Sequence, residues 1–172
     1  LRRQVRQRTA ALLEAQGVYR TTFFQADVGI CHVDTEGNII RVNPAFCLML
    51  GCDEQTLLKK SIWEITHPED LSRDAGLFKE VMDGSRTSYK IDKRYIACGN
   101  RTVWGHLTVS GIRDKNNRTQ YLICIVEDIT VRRNAENKIE DLEKRYRGVF
   151  ENSYQLTALF DNVGRLVDFN NT

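Results

Sequence analysis

Two stretches of this chain repeat each other at a fixed spacing, and no other feature constrains its architecture as much. A shift of 127 positions sets Tyr19-Arg20 on Tyr146-Arg147, Phe23 on Phe150, Asp34 on Asp161, Gly37 on Gly164 and Asn43 on Asn170. Ile39-Ile40 falls on Leu166-Val167, and Leu12 and Ala15 fall on Ile139 and Leu142. Six identities without a gap, at positions that read as strand–turn–strand, point to one unit used twice. The unit is a helix followed by a globular core. A second copy begins near Tyr146, and residues 146–172 are too few to complete it. The expected divisions are a linker helix over 1–20, a core over 21–131, a connecting helix over 132–148 and the start of a second core over 149–172.

Within the first copy, Gly29–Val33 reads as a strand and Asn38–Val42 as its hairpin partner. Between them Asp34-Thr-Glu-Gly37 is a turn, with Gly where positive φ is needed. Asn43-Pro44 opens a short helix: Asn caps, and Pro suits the first helical position. That helix ends at Gly51. Asp53–Lys59 and Ser61–Ile65 read as two further short helical pieces. Thr66-His-Pro-Glu69 reads as a capping box before a longer helix, with Leu71, Ala75, Phe78 and Met82 as its apolar stripe. Ser88–Ile96 and Thr102–Ile112 alternate as strands, joined at Gly99-Asn100. In the first, Tyr89, Ile91 and Tyr95 share a face; in the second, Val103, Leu107 and Val109 do. Tyr121–Val126 carries no charge and reads as a last strand buried on both faces. The order β-β-α-α-α-α-β-β-β predicts an α+β fold, an antiparallel sheet with helices on one face.

The last strand runs at once into Glu127-Asp128-Ile129-Thr130 and a run of helix formers. Whatever the core senses must leave there. Ala135, Ile139, Leu142, Tyr146 and Val149 then step by 4-3-4-3, a heptad seam about two heptads long.

The chain has 172 residues, 41% of them apolar, and net charge +2, which suggests one soluble domain with attachments. Near-neutral charge argues against nucleic acid as a partner. Apolar runs fall far short of the ~20 residues that span a bilayer, so this stretch is not expected to insert in a membrane. It carries no signal peptide, starts at Leu1 and stops in Asn170-Asn171-Thr172, and is read as a piece of something longer. Arg2, Arg3, Arg6 and Arg8 are a solvated helix face, or the cytosolic flank of a membrane helix outside the sequence. Cys31, Cys47, Cys52, Cys98 and Cys124 have no CxxC spacing, and are expected to be small buried hydrophobes in a reducing cytosol. A redox or metal role is the alternative.

The motifs, in order, resemble PAS domains. Asp34-x-x-Gly37-Asn-Ile-Ile-x-x-Asn43 is similar to their opening hairpin. Gly51, Trp63 and His67-Pro-Glu-Asp70 resemble their middle. Arg101-x-x-Trp104 and Glu127-Asp-Ile-Thr130-x-Arg132-Arg133 resemble their last strands and exit. The likeness covers about residues 21–131, and the repeat resembles the start of another such domain. It implies a five-stranded sheet in order 2-1-5-4-3, and a small-molecule cavity between sheet and helices. It also implies homodimers through the flanking helices. The role implied is that of a sensory box feeding a C-terminal effector, in bacteria a histidine kinase or a diguanylate cyclase or phosphodiesterase.

No catalytic set is legible: there is no Gly-rich phosphate loop, no HExxH and no spacing that recommends a triad. The fragment is therefore not expected to be an enzyme. No metal ligand set is expected either. His67 belongs to the helix start, and His32 and His106 occupy strand positions. Haem-binding relatives draw an axial His from the long helix, and Pro68–Gly84 has none. The reactive-Cys helix of flavin photosensors is missing, and Cys47 lacks that context. Trp63 either stacks on a flavin or fills the core beside the long helix, and the second is favoured. The cofactor is left unassigned. Phe46, Leu50, Trp63, Phe78, Met82, Leu107 and Ile123 are the candidate pocket wall by alternation, although core and pocket read alike. Glu127, Asp128 and Thr130 are the candidate signal junction, and Ala135, Ile139, Leu142 and Tyr146 the candidate dimer helix. Two readings follow: a cytoplasmic sensor dimer whose parent is free to be membrane-anchored, or a ligand-free dimerising spacer.

Overall fold

This computed structural model describes residues 2–151 and 158–169, with side chains over 12–150 and 158–169. Asn170, last of the six repeated identities, lies outside the described residues, as do the side chains of Arg2, Arg3, Arg6 and Arg8. The chain divides into two compact units, 1–130 and 131–172.

The first unit opens with helix α1 (Arg2–Gln25), longer than the linker expected over 1–20. Strands β1 (Gly29–Val33) and β2 (Ile39–Val42) follow, then helices α2 (Pro44–Leu50), α3 (Glu54–Leu57) and α4 (Pro68–Asp83). Strands β3 (Ser88–Ile96), β4 (Thr102–Arg113) and β5 (Thr119–Asp128) complete it. The sheet is antiparallel, in order β2-β1-β5-β4-β3, as expected. One face packs on the short helices, where Val33, Phe46, Leu50, Leu57, Val81, Val103, Val109 and Leu122 are buried.

Asn43 ties this arrangement together. Its Oδ1 accepts from Phe46 N–H (2.9 Å), capping α2, and from Ile30 N–H (2.8 Å). Its Nδ2 donates to the carbonyls of Phe23 (3.1 Å) and Val28 (2.9 Å). A fully buried amide thus uses both donors and both acceptor sites, joining the end of α1, β1 and α2. At the other end of α2, Gly51 takes φ 62° and closes the helix.

Four sequence expectations change. Residues 61–65 form turns, not a helical piece, because Ser61 bridges to Asn38 and Thr66 to Tyr95. The α4 cap is His67, whose Nδ1 accepts from Glu69 N–H (3.3 Å). Thr66 does not close a capping box; its hydroxyl donates to Ile62 O at 2.6 Å. The buried stripe of α4 is Asp74, Phe78 and Val81, and Ala75 is exposed. Finally, β5 is not buried on both faces. Leu122, Cys124 and Val126 face the helices, whereas Ile125 on the outer face is 42% exposed. The end of α1 covers only part of that outer face: Phe23 packs edge-on against His32, which stacks on Tyr121.

The cysteine expectation also changes. Cys31 and Cys124 are buried free thiols, but Cys52 and Cys98 form a disulfide. It links the end of α2 to the β3–β4 hairpin. Cys98 N–H already donates to Leu50 O there, at 2.9 Å, and Arg101 Nη2 to Met49 O, at 3.1 Å. The pair was not legible because 46 residues separate its members and neither sits in a spacing that signals pairing.

In the second unit, α5 (Thr130–Glu151) precedes a hairpin of β6 (Ala158–Phe160) and β7 (Leu166–Phe169).

Candidate functional site

The inner face of β3 carries Tyr89, Ile91, Lys93 and Tyr95, all buried. Lys93 is therefore delivered into the core by simple alternation, and α4 brings Asp74 to meet it. Nζ donates to Asp74 Oδ2 (2.5 Å) and to Thr66 Oγ1 (2.8 Å), and lies 4.6 Å from the centre of the Tyr95 ring. Tyr89 Oη donates to Asp74 Oδ1 at 2.7 Å. The side chains of Lys93 and Asp74 are 2% and 0% exposed, so this is a buried ion pair with further hydrogen bonds to Thr66 and Tyr89. Burial, and then the Asp74 carboxylate beside it, pushes the Tyr89 hydroxyl well above its usual pKa, so it stays a donor.

Beside the pair lies a cavity of about 10 Å3, lined by Cys31, Phe46, Lys93, Tyr95, Leu107 and Cys124 among others. A space of ~10–15 Å3 holds about one water. Burial raises both thiols, that of Cys124 to about 12 with Lys93 pulling the other way, so neither ionises near neutrality. Two of the three Lys93 N–H groups are bonded, and the ammonium lies over the Tyr95 ring. Chemically the centre is a lock between α4 and β3, not an open binding site.

Of the pocket wall expected by alternation, Phe46 and Leu107 line this cavity. Leu50, Trp63, Phe78 and Met82 belong to the surrounding core instead. Trp63 meets Phe78 edge-on at 5.0 Å, and its Nε1 donates to Glu36 O at 3.0 Å. Ile123 was misplaced: it pairs with Ser110 and His32 on the outer face, because its neighbours Leu122 and Cys124 take the inner one. The sequence reading missed Asp74 and Lys93. The signal was present, since a Lys in the inward register between Ile91 and Tyr95 requires a buried carboxylate.

Of the three histidines, His67 caps α4 and His32 sits among aromatic rings. His106 Nδ1 lies 2.6 Å from Asp92 Oδ1. Among the described residues no group of three His, Cys, Asp or Glu side chains is placed to hold a metal ion.

The second feature is the exit from the sheet. Only Ile129 separates β5 from α5. Its side chain is buried, and its N–H donates to Trp104 O at 2.9 Å. Trp104 N–H donates to Thr130 Oγ1 (3.0 Å), and Asp128 Oδ1 accepts from Thr130 N–H (2.9 Å). Asp128 thus caps the chain as it turns helical, while Thr130 fastens the first residue of the helix to the backbone of β4. Glu127 is exposed and pairs in register with His106. Along α5, Ile139, Leu142 and Tyr146 are 64%, 56% and 45% exposed, and Ala135 is exposed beside them. No helix among the described residues is long and apolar enough to cross a membrane.

The family model described as PAS domain matches residues 27–131. The chain is 29% identical, over 132 residues, to a probable diguanylate cyclase, DgcE, of Escherichia coli (strain K12), covering 77% of this chain and 12% of that protein. It is 23% identical, over 143 residues, to the sensor histidine kinase TmoS of Ectopseudomonas mendocina, covering 83% of this chain and 15% of that one. The chain thus spans a small part of these relatives. Among solved structures, a PAS domain from Colwellia psychrerythraea superposes with TM-score 0.62 at 16% identity, over 67% of this chain and 98% of that one. With the sheet order, the helices on one face and a family model matching 27–131 in agreement, the chain belongs to the PAS domain family.

Proposed function

We propose that this chain is a sensory input module of a larger signalling protein, relaying a change in its core through α5 to an effector. The effector is a histidine kinase or a diguanylate cyclase, the two kinds named among its relatives, or a phosphodiesterase, which the PAS resemblance adds. The carrying observation is the β5–α5 junction. A shift of β4 against β5 moves Trp104, and Trp104 holds both Ile129 and Thr130 through its backbone. The first turn of α5 thus follows the sheet, and the helix delivers a rotation or register change. The exposed seam of Ala135, Ile139, Leu142 and Tyr146 supports a homodimer through the helices. Residues 149–172 begin a second domain of the same kind. The test is Asp128→Ala with Thr130→Ala in the whole parent protein. Loss of stimulus response with basal output retained is expected, and a full response shows that the junction carries nothing.

A second reading is a ligand-free dimerising spacer, favoured by the cavity of about 10 Å3 beside the Lys93–Asp74 pair. The absorption spectrum of the purified chain and mass spectrometry of its denatured extract separate the two. A stoichiometric flavin, haem or metabolite supports the sensor, and an empty extract the spacer.

A further inference from the structure

β3 is an edge strand, and half of its outer edge is already used. Arg94 N–H donates to Asp70 Oδ2, Arg94 O accepts from His67, and Ile96 N–H donates to Ile65 O. On the opposite side, Thr87 O accepts from Gly111 N–H, so odd-numbered residues point to β4. By the same alternation Ser88 and Lys90 aim their N–H and C=O groups outward. Neither backbone has a partner among the described residues.

This open stretch borders a groove of about 420 Å3 between α4 and β3. Leu77 and Ile91 give it an apolar floor, and a Cβ built on Gly76 would meet nothing within 4 Å. Its rim is basic. Arg86 is paired with Glu80 at 2.6 Å, whereas Arg73 and Lys90 make no ion pair among the described residues. The other acidic group nearby on β3, Asp92, has its Oδ1 against His106 on β4.

We propose that this groove is a docking site for an extended acidic segment of a partner protein, which adds to the sheet beside Ser88–Lys90. Backbone pairing at an open edge gives affinity regardless of sequence, and side-chain chemistry gives selection. Lysine on an edge strand guards it against unwanted strands. Here the two uncompensated cations reject neutral and basic strands and match an acidic one, so the guard also selects. Side chains on the inner face of the incoming segment reach the apolar floor below Arg73, and carboxylates on its outer face meet Lys90.

The experiment titrates the whole 172-residue chain into fluorescein-labelled Glu-Val-Glu-Val-Glu and reads anisotropy. Controls are the Lys-Val-Lys-Val-Lys peptide and a Glu-Val-Glu-Val-Glu peptide N-methylated at alternate residues. Saturable binding of the acidic peptide is expected, weakened at least ~10-fold by Arg73→Glu with Lys90→Glu, by N-methylation and in the basic peptide. Both substituted side chains are on the groove rim, and an unchanged urea midpoint shows that the variant folds. No binding up to ~1 mM, equal binding of the basic peptide, or indifference to N-methylation overturns the proposal. So does self-association of the chain that the same double substitution abolishes, since the groove then holds a second copy.

Discussion

Lysine at position 93 should be replaceable only together with its partners. Lys93→Met leaves the Asp74 carboxylate 0% exposed with Tyr89 Oη as its remaining donor. Breaking a buried pair from one side costs about 3–5 kcal/mol. Asp74→Leu should cost a similar amount, because Lys93 then keeps only Thr66 and the Tyr95 ring. The double variant removes both charges. Thr66 still donates to Ile62 O, but the buried Tyr89 hydroxyl loses its acceptor, which costs about 1–3 kcal/mol. Adding Tyr89→Phe removes that orphan and should return the protein to within about 2 kcal/mol of the parent. Urea titration followed by tryptophan fluorescence measures all four, with midpoints compared at constant slope. A Lys93→Met cost under about 1 kcal/mol shows that water reaches Asp74 and the pair is not dry. A triple variant as weak as the singles shows that packing volume, not charge, set the cost.

Three further outcomes follow from single contacts. Reduction of Cys52–Cys98 frees a loop of 46 residues in the unfolded chain, and the chain-entropy estimate puts the loss at up to about 4 kcal/mol. Alkylation of the unfolded protein without reductant should label three cysteines, Cys31, Cys47 and Cys124, and label all five after reduction; five before reduction removes the disulfide from the account. Arg94, through hydrogen bonds to the side chain, holds the Asp70 carboxyl below the usual carboxylate range, against a smaller upward pull from burial. The unfolded chain therefore takes up that proton first, so the stabilisation is complete above pH ~4 and is lost as pH falls through the native pKa. Asp70→Asn should flatten this part of the acid-unfolding curve, and an unchanged curve rejects the Arg94 assignment. Gly37→Ala puts a methyl 2.5 Å from Trp63 Nε1 at φ +91°, which should cost about 2 kcal/mol or more, read as a lower urea midpoint.

What the sequence showed and what it hid follow one physical rule. Features decided within a few residues were legible: the Asp34–Gly37 turn, the Asn43 cap, the Gly51 stop and the direct passage from β5 to α5. So was the sheet order, although through a family resemblance and not through periodicity. Features decided between distant segments were lost. The alternation of β3 marks Lys93 as inward, but nothing near it says which carboxylate it meets, and Asp74, 19 residues away, reads as an ordinary surface charge. Ile123 was assigned inward because an uncharged run gives no phase, and only its pairing with Ser110 and His32 fixes which side it takes. The Thr66 cap failed because its hydroxyl is claimed by Ile62 O, four residues back, and by Lys93, 27 residues on, and His67 is left to cap the helix.

The repeat shows how far local chemistry reaches. Asp34 Oδ1 accepts from Glu36 N–H (2.9 Å) and Asn38 N–H (2.8 Å), and Asp161 Oδ1 from Val163 and Arg165 N–H, both at 2.9 Å. Gly37 and Gly164 take φ 91° and 80°. Val33 faces Ile39 as Phe160 faces Leu166, each beside an irregularity at the preceding step. Yet Val33 and Ile39 are 0% and 2% exposed, and Phe160 and Leu166 are 58% and 54%. The turn residues are thus enough to set the hairpin's shape and register, while burial comes from β5 and the short helices of a complete core. A lone two-stranded hairpin is at best marginal in water. Amide exchange should therefore protect the paired amides of β1 and β2 far more than those of β6 and β7. Equal protection of 158–169 shows that some other surface covers the second hairpin.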